Sequence, residues 1–212
     1  MKITKLGHCA LILEENETKV LTDPGMYTVE QQQELTGLDA ILVTHEHGDH
    51  LHVESVQALL KTNLDAKIIS NTAVAKILKE KGIECEIVGD GQKGAVKAMT
   101  VEGFGKEHAP IYETMGLVEN TGYLVAGKFF FPGDNYFVPG VKVDVLALPV
   151  AGPWTKLSLA IDYAKAVNAR VAFGVHDGMI VPSFRGFAYN FLRSFVQGTE
   201  FVELKDGETR EF

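Results

Sequence analysis

One eight-residue stretch, residues 43–50, limits what this 212-residue chain can form more than any other part of it. It follows an apolar run at residues 40–43 that predicts a buried strand, because the run is short and rich in β-branched side chains. The stretch contains four potential metal ligands: His45, His47, Asp49 and His50. His45 and His47 are two residues apart, so at a strand end their side chains point to the same side. Imidazole and carboxylate groups suit zinc and neighbouring transition metals, and the stretch therefore predicts a metal site.

Composition and charge limit the class of protein. With 46 % hydrophobic and 23 % charged residues, the chain is expected to form a single domain over residues 1–212 with a sizeable core. The formal net charge of −8 argues against a nucleic-acid partner or an anionic membrane, because no broad basic face is available. A small anionic substrate stays compatible with this charge, since a metal site inverts the local field.

Neither a targeting segment nor a disulfide framework is indicated. The first apolar run, residues 10–13, is too short for a signal peptide, and no run has the length of a membrane span. The two cysteines, Cys9 and Cys85, are too few and too far apart for a disulfide framework. We therefore expect a cytoplasmic protein.

The remaining pattern is β-rich, then strand–helix alternating, then β-rich again, then helix–strand–helix. Three antiparallel strands are predicted near residues 3–6, 10–13 and 19–22, and single strands at 96–101, 122–125, 128–131, 143–149 and 171–175. In the middle, strands at 40–44, 67–70 and 84–88 alternate with helices at 52–61 and 72–81, which predicts parallel pairing through crossover helices. Together the patterns suggest two sheets face to face with helices outside.

Two features near the C-terminus lead to further expectations. A helix over residues 183–196 carries a mostly aromatic stripe, for which we expect core packing: Phe184, Phe187, Phe191, Leu192 and Phe195. The chain is then expected to close on a hairpin across residues 205–208.

Three more candidate ligands follow the metal stretch along the chain. His108 lies in a long polar loop over residues 105–120, whereas Asp134 and His176 each come shortly after a predicted strand. Taken singly, His108 is as well explained as a solvated loop residue and Asp134 as a turn residue. Side chains at the tips of several strands can, however, converge on one rim of a sheet.

In order and spacing, these residues resemble the motif series of the metallo-β-lactamase superfamily. The matching positions are Asp23 in Leu21-Thr22-Asp23-Pro24, then His45-x-His47-x-Asp49-His50, His108, Gly133-Asp134 and His176. The resemblance implies an α/β fold, an αββα sandwich of two mixed β-sheets with helices on the outer faces. It also implies two divalent metal ions, Zn²⁺ in the first place with Mn²⁺ or Fe²⁺ as alternatives.

The resemblance further implies a role for each matching residue. His45, His47 and His108 would bind the first metal; Asp49, His50 and His176 would bind the second; Asp134 would bridge; Asp23 would accept a hydrogen bond from a ligand histidine; and His8 would line the pocket. Asp49 would also be the catalytic residue that orients a metal-activated hydroxide and passes a proton to the leaving group. The implied activity is hydrolysis of an ester, lactone, thioester, amide or phosphodiester bond in a small, anionic substrate.

Leu6-Gly7-His8 and the segment at 149–152 resemble in particular the small stand-alone hydrolases such as the ascorbate-6-phosphate lactonase group. Those relatives often carry Gly-Gly-x-x-Thr-Met where this chain has AGPWTK at 151–156, which leaves the substrate open. Trp154, Lys156 and Arg185 either border the pocket or are a packed tryptophan and two solvated cations.

Two other classes of function stay open. The same ligands could hold iron in an oxidoreductase, or the chain could be a non-catalytic metal-binding member of the fold. The sequence does not fix the oligomeric state either, and a homo-oligomer stays open.

Overall fold

Two seven-stranded β-sheets make up the centre of the computed structural model, which describes residues 1–212. The first sheet has the order β14-β1-β2-β3-β4-β5-β6 and the second β13-β12-β11-β10-β9-β8-β7. The first contains β1 (Lys2–Gly7), β2 (Ala10–Glu15), β3 (Thr18–Thr22), β4 (Ala40–Leu42), β5 (Lys67–Ser70), β6 (Glu86–Ile87) and β14 (Thr209–Glu211). The second contains β7 (Lys93–Val96), β8 (Met99–Phe104), β9 (Gly122–Val125), β10 (Phe129–Phe131), β11 (Val145–Pro149), β12 (Val171–Val175) and β13 (Glu200–Val202).

Five α-helices cover the outer faces of the sheets. They are α1 (Val29–Gln32), α2 (Val53–Thr62), α3 (Thr72–Glu80), α4 (Leu157–Val167) and α5 (Pro182–Phe195), and a 3₁₀ turn at Met26–Thr28 precedes α1. No helix combines the length and the apolar character needed to cross a membrane.

Because successive side chains of a strand point to opposite faces of its sheet, the apolar residues form three layers. Along β10, Phe129 and Phe131 lie in the cluster between the two sheets, whereas Phe130 packs with residues of α4 and α5. Ile41 of β4 likewise points away from the sheet interface, into a third cluster with α2 and α3. Because both faces of these strands are covered, their sequences are nearly continuous apolar runs. The predicted αββα sandwich of two mixed sheets is confirmed.

Parallel pairing brings the metal stretch to one rim of the molecule. β3, β4, β5 and β6 are parallel neighbours, as are β10, β11, β12 and β13. Since the carboxyl ends of parallel strands meet at the same edge, the residues that follow β3, β4, β10 and β12 come together there. These are Asp23, residues 43–50, Asp134 and His176.

Two local predictions were wrong. The region predicted as one strand at 96–101 is a hairpin of β7 and β8. No hairpin forms across residues 205–208, because β13 joins the second sheet beside β12 while β14 pairs with β1 in the first sheet. The turn is present, but its flanking strands have different partners.

The aromatic stripe of α5 is exposed and not part of the core, contrary to the expectation. The buried residues of this helix are Ala188, Tyr189 and Leu192, so Leu192 is the one member of the predicted stripe that lies in the core. Tyr189 anchors this face, since its hydroxyl accepts a hydrogen bond from the Gly174 backbone at 2.6 Å. The four phenylalanines, Phe184, Phe187, Phe191 and Phe195, stay between 38 and 53 % exposed.

Candidate metal centre

The metal stretch is held against the loop that follows β3. The Asp23 carboxylate accepts hydrogen bonds from the Thr44 backbone N–H and hydroxyl, both at 2.7 Å. The Met26 backbone N–H donates to the Gly48 carbonyl at 2.8 Å. The two loops approach so closely at Gly25 that a Cβ there would lie 1.8 Å from the Asp49 carbonyl oxygen, so only glycine fits.

His45, His47 and His108 form the first group of candidate ligands. One ring nitrogen from each lies within 4.8 Å of the others. His45 Nε2 is 3.1 Å from His47 Nδ1, and the ring of His108 lies 4.7 Å from that of His47, measured between centroids. His108 thus reaches the site although it follows the metal stretch by a long segment of chain.

A second group consists of Asp49, His50 and His176, with His8 beside them. Their ligand atoms again lie within 4.8 Å of one another. His176 Nε2 and His8 Nε2 are 3.3 and 3.2 Å from Asp49 Oδ2. The structure thus brings together the residues predicted for each metal and places His8 with the second set.

Asp134 lies between the two groups. Its Oδ2 is 3.3 Å from His108 Nε2 in the first group and 3.0 Å from His176 Nε2 in the second. Its Oδ1 is 3.2 Å from His50 Nε2. Asp134 Oδ2 therefore lies near both groups, whereas Oδ1 faces the second group only, and the carboxylate stands where a bridging ligand would have to be.

Several buried polar atoms at this centre make no hydrogen bond, because those that lie 3.0–3.3 Å apart are not oriented for one. They are His50 Nε2, His108 Nε2, His176 Nε2 and Asp134 Oδ1. Buried polar atoms are normally paired, and leaving one unpaired costs about 1–3 kcal/mol. Here they converge, and imidazole nitrogen with carboxylate oxygen is a donor set that suits zinc and related divalent ions. The residues present therefore fit a metal centre.

Hydrogen bonds on the far side of the rings fix the tautomers that metal binding needs. His50 Nδ1 is 2.6 Å from Asp23 Oδ2 and donates to it, so Nε2 is the ring nitrogen that faces the site and is available to a metal once it has lost any proton. Thr44 donates its hydroxyl proton to Asp23, so His45 Nδ1, 3.0 Å from that hydroxyl, acts as the donor to it. Such carboxylate support is typical of metal-binding histidines. Asp23 is placed as the resemblance implied.

Comparison with known proteins identifies the family. Residues 2–176 match the family described as "Beta-lactamase superfamily domain". The chain belongs to the β-lactamase superfamily. This confirms the resemblance to the metallo-β-lactamase superfamily and the predicted class of enzyme, a metal-dependent hydrolase.

Individual superfamily members are similar to this chain over most of its length. Protein Rv0786c of Mycobacterium tuberculosis is 36 % identical over 211 residues, 97 % of each chain. The UPF0173 metal-dependent hydrolase of Alkaliphilus metalliredigens is 30 % identical over 192 residues, 83 % of this chain and 85 % of the relative. Among solved structures, Igni18, a metallo hydrolase from Ignicoccus hospitalis, superposes with a TM-score of 0.78 at 20 % identity and covers 100 % of this chain and 98 % of that one.

His8 has the opposite tautomer from the candidate ligands His45 and His50. The Gly178 backbone N–H donates to His8 Nδ1 at 3.2 Å, so His8 Nε2 carries the proton that points to Asp49. A protonated Nε2 cannot bind a metal. His8 therefore orients the Asp49 carboxylate, in keeping with its prediction as a pocket residue. His8, Asp23 and His176 also have positive φ angles of 47, 35 and 57°, which are uncommon for residues other than glycine.

Sequence reasoning did not find the role of Trp154. This buried side chain donates its indole N–H to Asp134 Oδ2 at 2.7 Å, and its ring lies beside His108 and His176. The only signal was the departure of residues 151–156 from the pattern of related hydrolases. Lys156 is exposed, as expected of a solvated cation. Arg185 is not solvated, because its side chain is only 21 % exposed and pairs with Asp206 at 3.1 Å and with the buried Asp177 at 3.6 Å.

The ionisable side chains at this centre strongly shift each other's pKa values. Burial alone would raise the pKa of Asp134, but His50, His108 and His176 hold it well below its usual range. Burial lowers the pKa of His50, yet Asp134 and Asp23 outweigh it and raise that pKa well above normal. Burial keeps the pKa of His45 well below normal. The Asp134 carboxylate is thus ionised and attracts positive charge to the site.

Access from solvent is confined to one side of the cluster. The side chain of Asp49 is 22 % exposed and that of His47 is partly exposed, whereas the other candidate ligands are buried. A substrate would therefore meet Asp49 and His47 first.

Proposed function

We propose that the chain is a dinuclear metal hydrolase that cleaves an ester, lactone, thioester, amide or phosphodiester bond in a small, anionic substrate. The observation that carries the proposal is the convergence of unpartnered buried atoms from His50, His108, Asp134 and His176. His45, His47 and His108 would hold one ion, and Asp49, His50 and His176 the other, with Asp134 between them. Zinc is the first choice, and manganese or iron are alternatives with the same ligands.

Two bound divalent ions would supply Lewis acidity and lower the pKa of a shared water towards neutrality. The residues of the chain have separate tasks. Asp49 is ionised, because His176 and His8 lower its pKa although burial opposes this. It is held by His8 from behind and stands at the open side of the cluster, where it can orient a water and pass a proton to the leaving group.

The preference for an anion follows from local charge. Two divalent ions carry more positive charge than the carboxylates of Asp49 and Asp134 can neutralise. The rest of the chain is acidic, so the site would be a positive spot on a negative protein. Such a spot favours a small anionic substrate over a polyanion that must contact a wide surface.

Metal content, measured by elemental analysis after reconstitution, tests the proposal. We expect about two equivalents of zinc or manganese per chain, and a loss in His47→Ala and Asp134→Ala. His52→Ala is the matched control, since His52 follows the metal stretch but contacts Ser55 and Glu54 and not the cluster. No bound metal after reconstitution would contradict the proposal.

A panel of lactones, esters, thioesters, amides and phosphodiesters then tests the chemistry. Asp49→Asn should retain at least the first metal and lose turnover by about a hundredfold or more, because it cannot act as a base. Iron-loaded protein that consumes dioxygen and hydrolyses nothing would support the oxidoreductase instead.

A further inference from the structure

Along its whole length α5, with the residue just before it, exposes a continuous apolar strip, which we call the phenylalanine face. It consists of Val181, Phe184, Phe187, Phe191 and Phe195. Val181 is 64 % exposed, and the four aromatic side chains are 38–53 % exposed. Successive rings contact each other, with centroids 5.3, 4.7 and 5.6 Å apart. The face is therefore an ordered ridge and not a set of isolated side chains.

The size of this face is close to what one half of a dimer interface needs. With about 200 Å² for a whole phenylalanine side chain, its exposed apolar area is roughly 450 Å². A standard interface buries about 800 Å² on each partner, and in homodimers about 65 % of it is apolar, which is roughly 500 Å². Single chains seldom leave a contiguous patch of this size without a use for it.

A groove lies directly beside the ridge. It measures about 370 Å³ and is lined by Leu157, Ser158, Ile161, Asp162, Lys165, Phe191 and Phe195. A twofold interface uses the same patch on both partners, so the patch must complement itself. A ridge next to a groove meets this requirement, because the ridge of each copy can enter the groove of the other.

Charges at the groove are self-complementary as well. Asp162 and Lys165 carry opposite signs on the α4 wall, so across a twofold axis each can face the other residue of the second copy. The helix α5 itself contains no acidic residue, and Arg185 is already paired with Asp206. An anionic membrane is a poorer occupant, because the chain has a net charge of −8.

From these observations we propose that the phenylalanine face and its groove form a twofold interface with a second copy of this chain. The inference does not depend on the metal centre or on the reaction.

Sedimentation velocity of the full chain, between about 1 and 100 µM, tests this inference. The parent should sediment as a dimer, and the double variant Phe187→Ser/Phe191→Ser should be a monomer with a dissociation constant at least about thirtyfold higher. Leu64→Ser is the matched control, since Leu64 is 84 % exposed on another part of the surface. Circular dichroism and thermal unfolding check that each variant is folded.

A charge exchange separates a specific dimer from general stickiness. Asp162→Lys alone and Lys165→Asp alone should each weaken the dimer by roughly threefold to tenfold, because each places like charges opposite one another. The double exchange should restore it. A monomeric parent at 100 µM, or a dimer that the two serine substitutions leave intact, overturns the inference.

Cosedimentation with vesicles of phosphatidylcholine, with and without phosphatidylglycerol, tests whether the phenylalanine face binds lipid instead. If a monomeric parent cosediments with them and the double serine variant does not, the face binds lipid, and the dimer is refuted. Absence of cosedimentation together with a dimeric parent supports the dimer.

Discussion

Replacing Asp23 by asparagine tests how the fold prepares its ligands. Asp23 is fully buried and accepts three hydrogen bonds, two from Thr44 at 2.7 Å and one from His50 Nδ1 at 2.6 Å. Asparagine keeps the shape but offers one acceptor oxygen and an NH₂ group that only donates. When the asparagine oxygen keeps the hydrogen bond from the Thr44 backbone N–H, the NH₂ group faces His50 Nδ1. The His50 proton must then move to Nε2, the atom that would bind metal.

Two magnitudes follow from this geometry. Loss of a supporting partner of a metal-binding histidine weakens metal affinity about 10- to 100-fold, which is about 1.4–2.7 kcal/mol. The metal-free protein should also lose about 1–3 kcal/mol of unfolding free energy, since at least one buried donor is left unpaired. The substitution should thus lower both zinc affinity and unfolding free energy, and the loss of zinc affinity is expected only if His50 binds metal.

Zinc titration against a chromophoric chelator measures the affinity, and urea unfolding of the metal-free protein measures the stability. Asp39→Asn is the matched control, because Asp39 also accepts a backbone N–H, from Lys19 at 2.9 Å, and pairs with Lys97 far from the cluster. Should Asp23→Asn bind zinc as tightly as the parent and Asp39→Asn, the proposed support of His50 would be refuted.

Three further predictions concern Trp154, metal removal and the cysteines. Trp154→Phe keeps an aromatic side chain but removes the N–H that donates to Asp134, so zinc affinity should fall about fivefold. Tyr136→Phe, the control, should leave zinc affinity unchanged. Equal affinities of the two variants would contradict this prediction. Since Trp154 is the only tryptophan, its fluorescence should also change on metal addition. With zinc at a hundred times its dissociation constant, the protein should gain about 2.7 kcal/mol of unfolding free energy, and chelation should remove this gain. In Asp134→Ala, thermal unfolding should change little on chelation. An equal loss in this variant would refute the metal centre. Burial raises the pKa of Cys85 to about 11 and that of Cys9 well above normal, so alkylation by iodoacetamide should be slow at pH 8. At Cys85 the rate should rise about tenfold per pH unit up to about pH 11, and rapid labelling at pH 7 would show the thiols to be ordinary.

The sequence predicted the parts of the site that depend on strand ends. The apolar run before His45 and the strands before Asp134 and His176 are visible as local patterns, and parallel pairing brings their ends to one rim. The long loop of His108 has no such pattern, and its assignment depended on the resemblance to a family. Its backbone is nevertheless fixed at the site, since Ala109 donates to the Asp134 carbonyl at 2.8 Å.

Other features depend on contacts that no local pattern contains. The hydrogen bond from Trp154 to Asp134 joins residues on different loops, and only the packed structure shows it. Helical spacing correctly placed Phe184, Phe187, Phe191 and Phe195 on one face, but spacing does not state whether that face is covered. The turn at residues 205–208 was visible, whereas the separation of β13 and β14 into different sheets is a property of the whole fold.

An anomalous difference map at the zinc absorption edge, from crystals of the zinc-reconstituted protein, tests whether this chain holds two divalent ions on either side of Asp134. We expect two peaks about 3.5–4 Å apart, one beside His45, His47 and His108 and the other beside Asp49, His50 and His176. A single peak, or peaks away from Asp134, would refute the dinuclear centre.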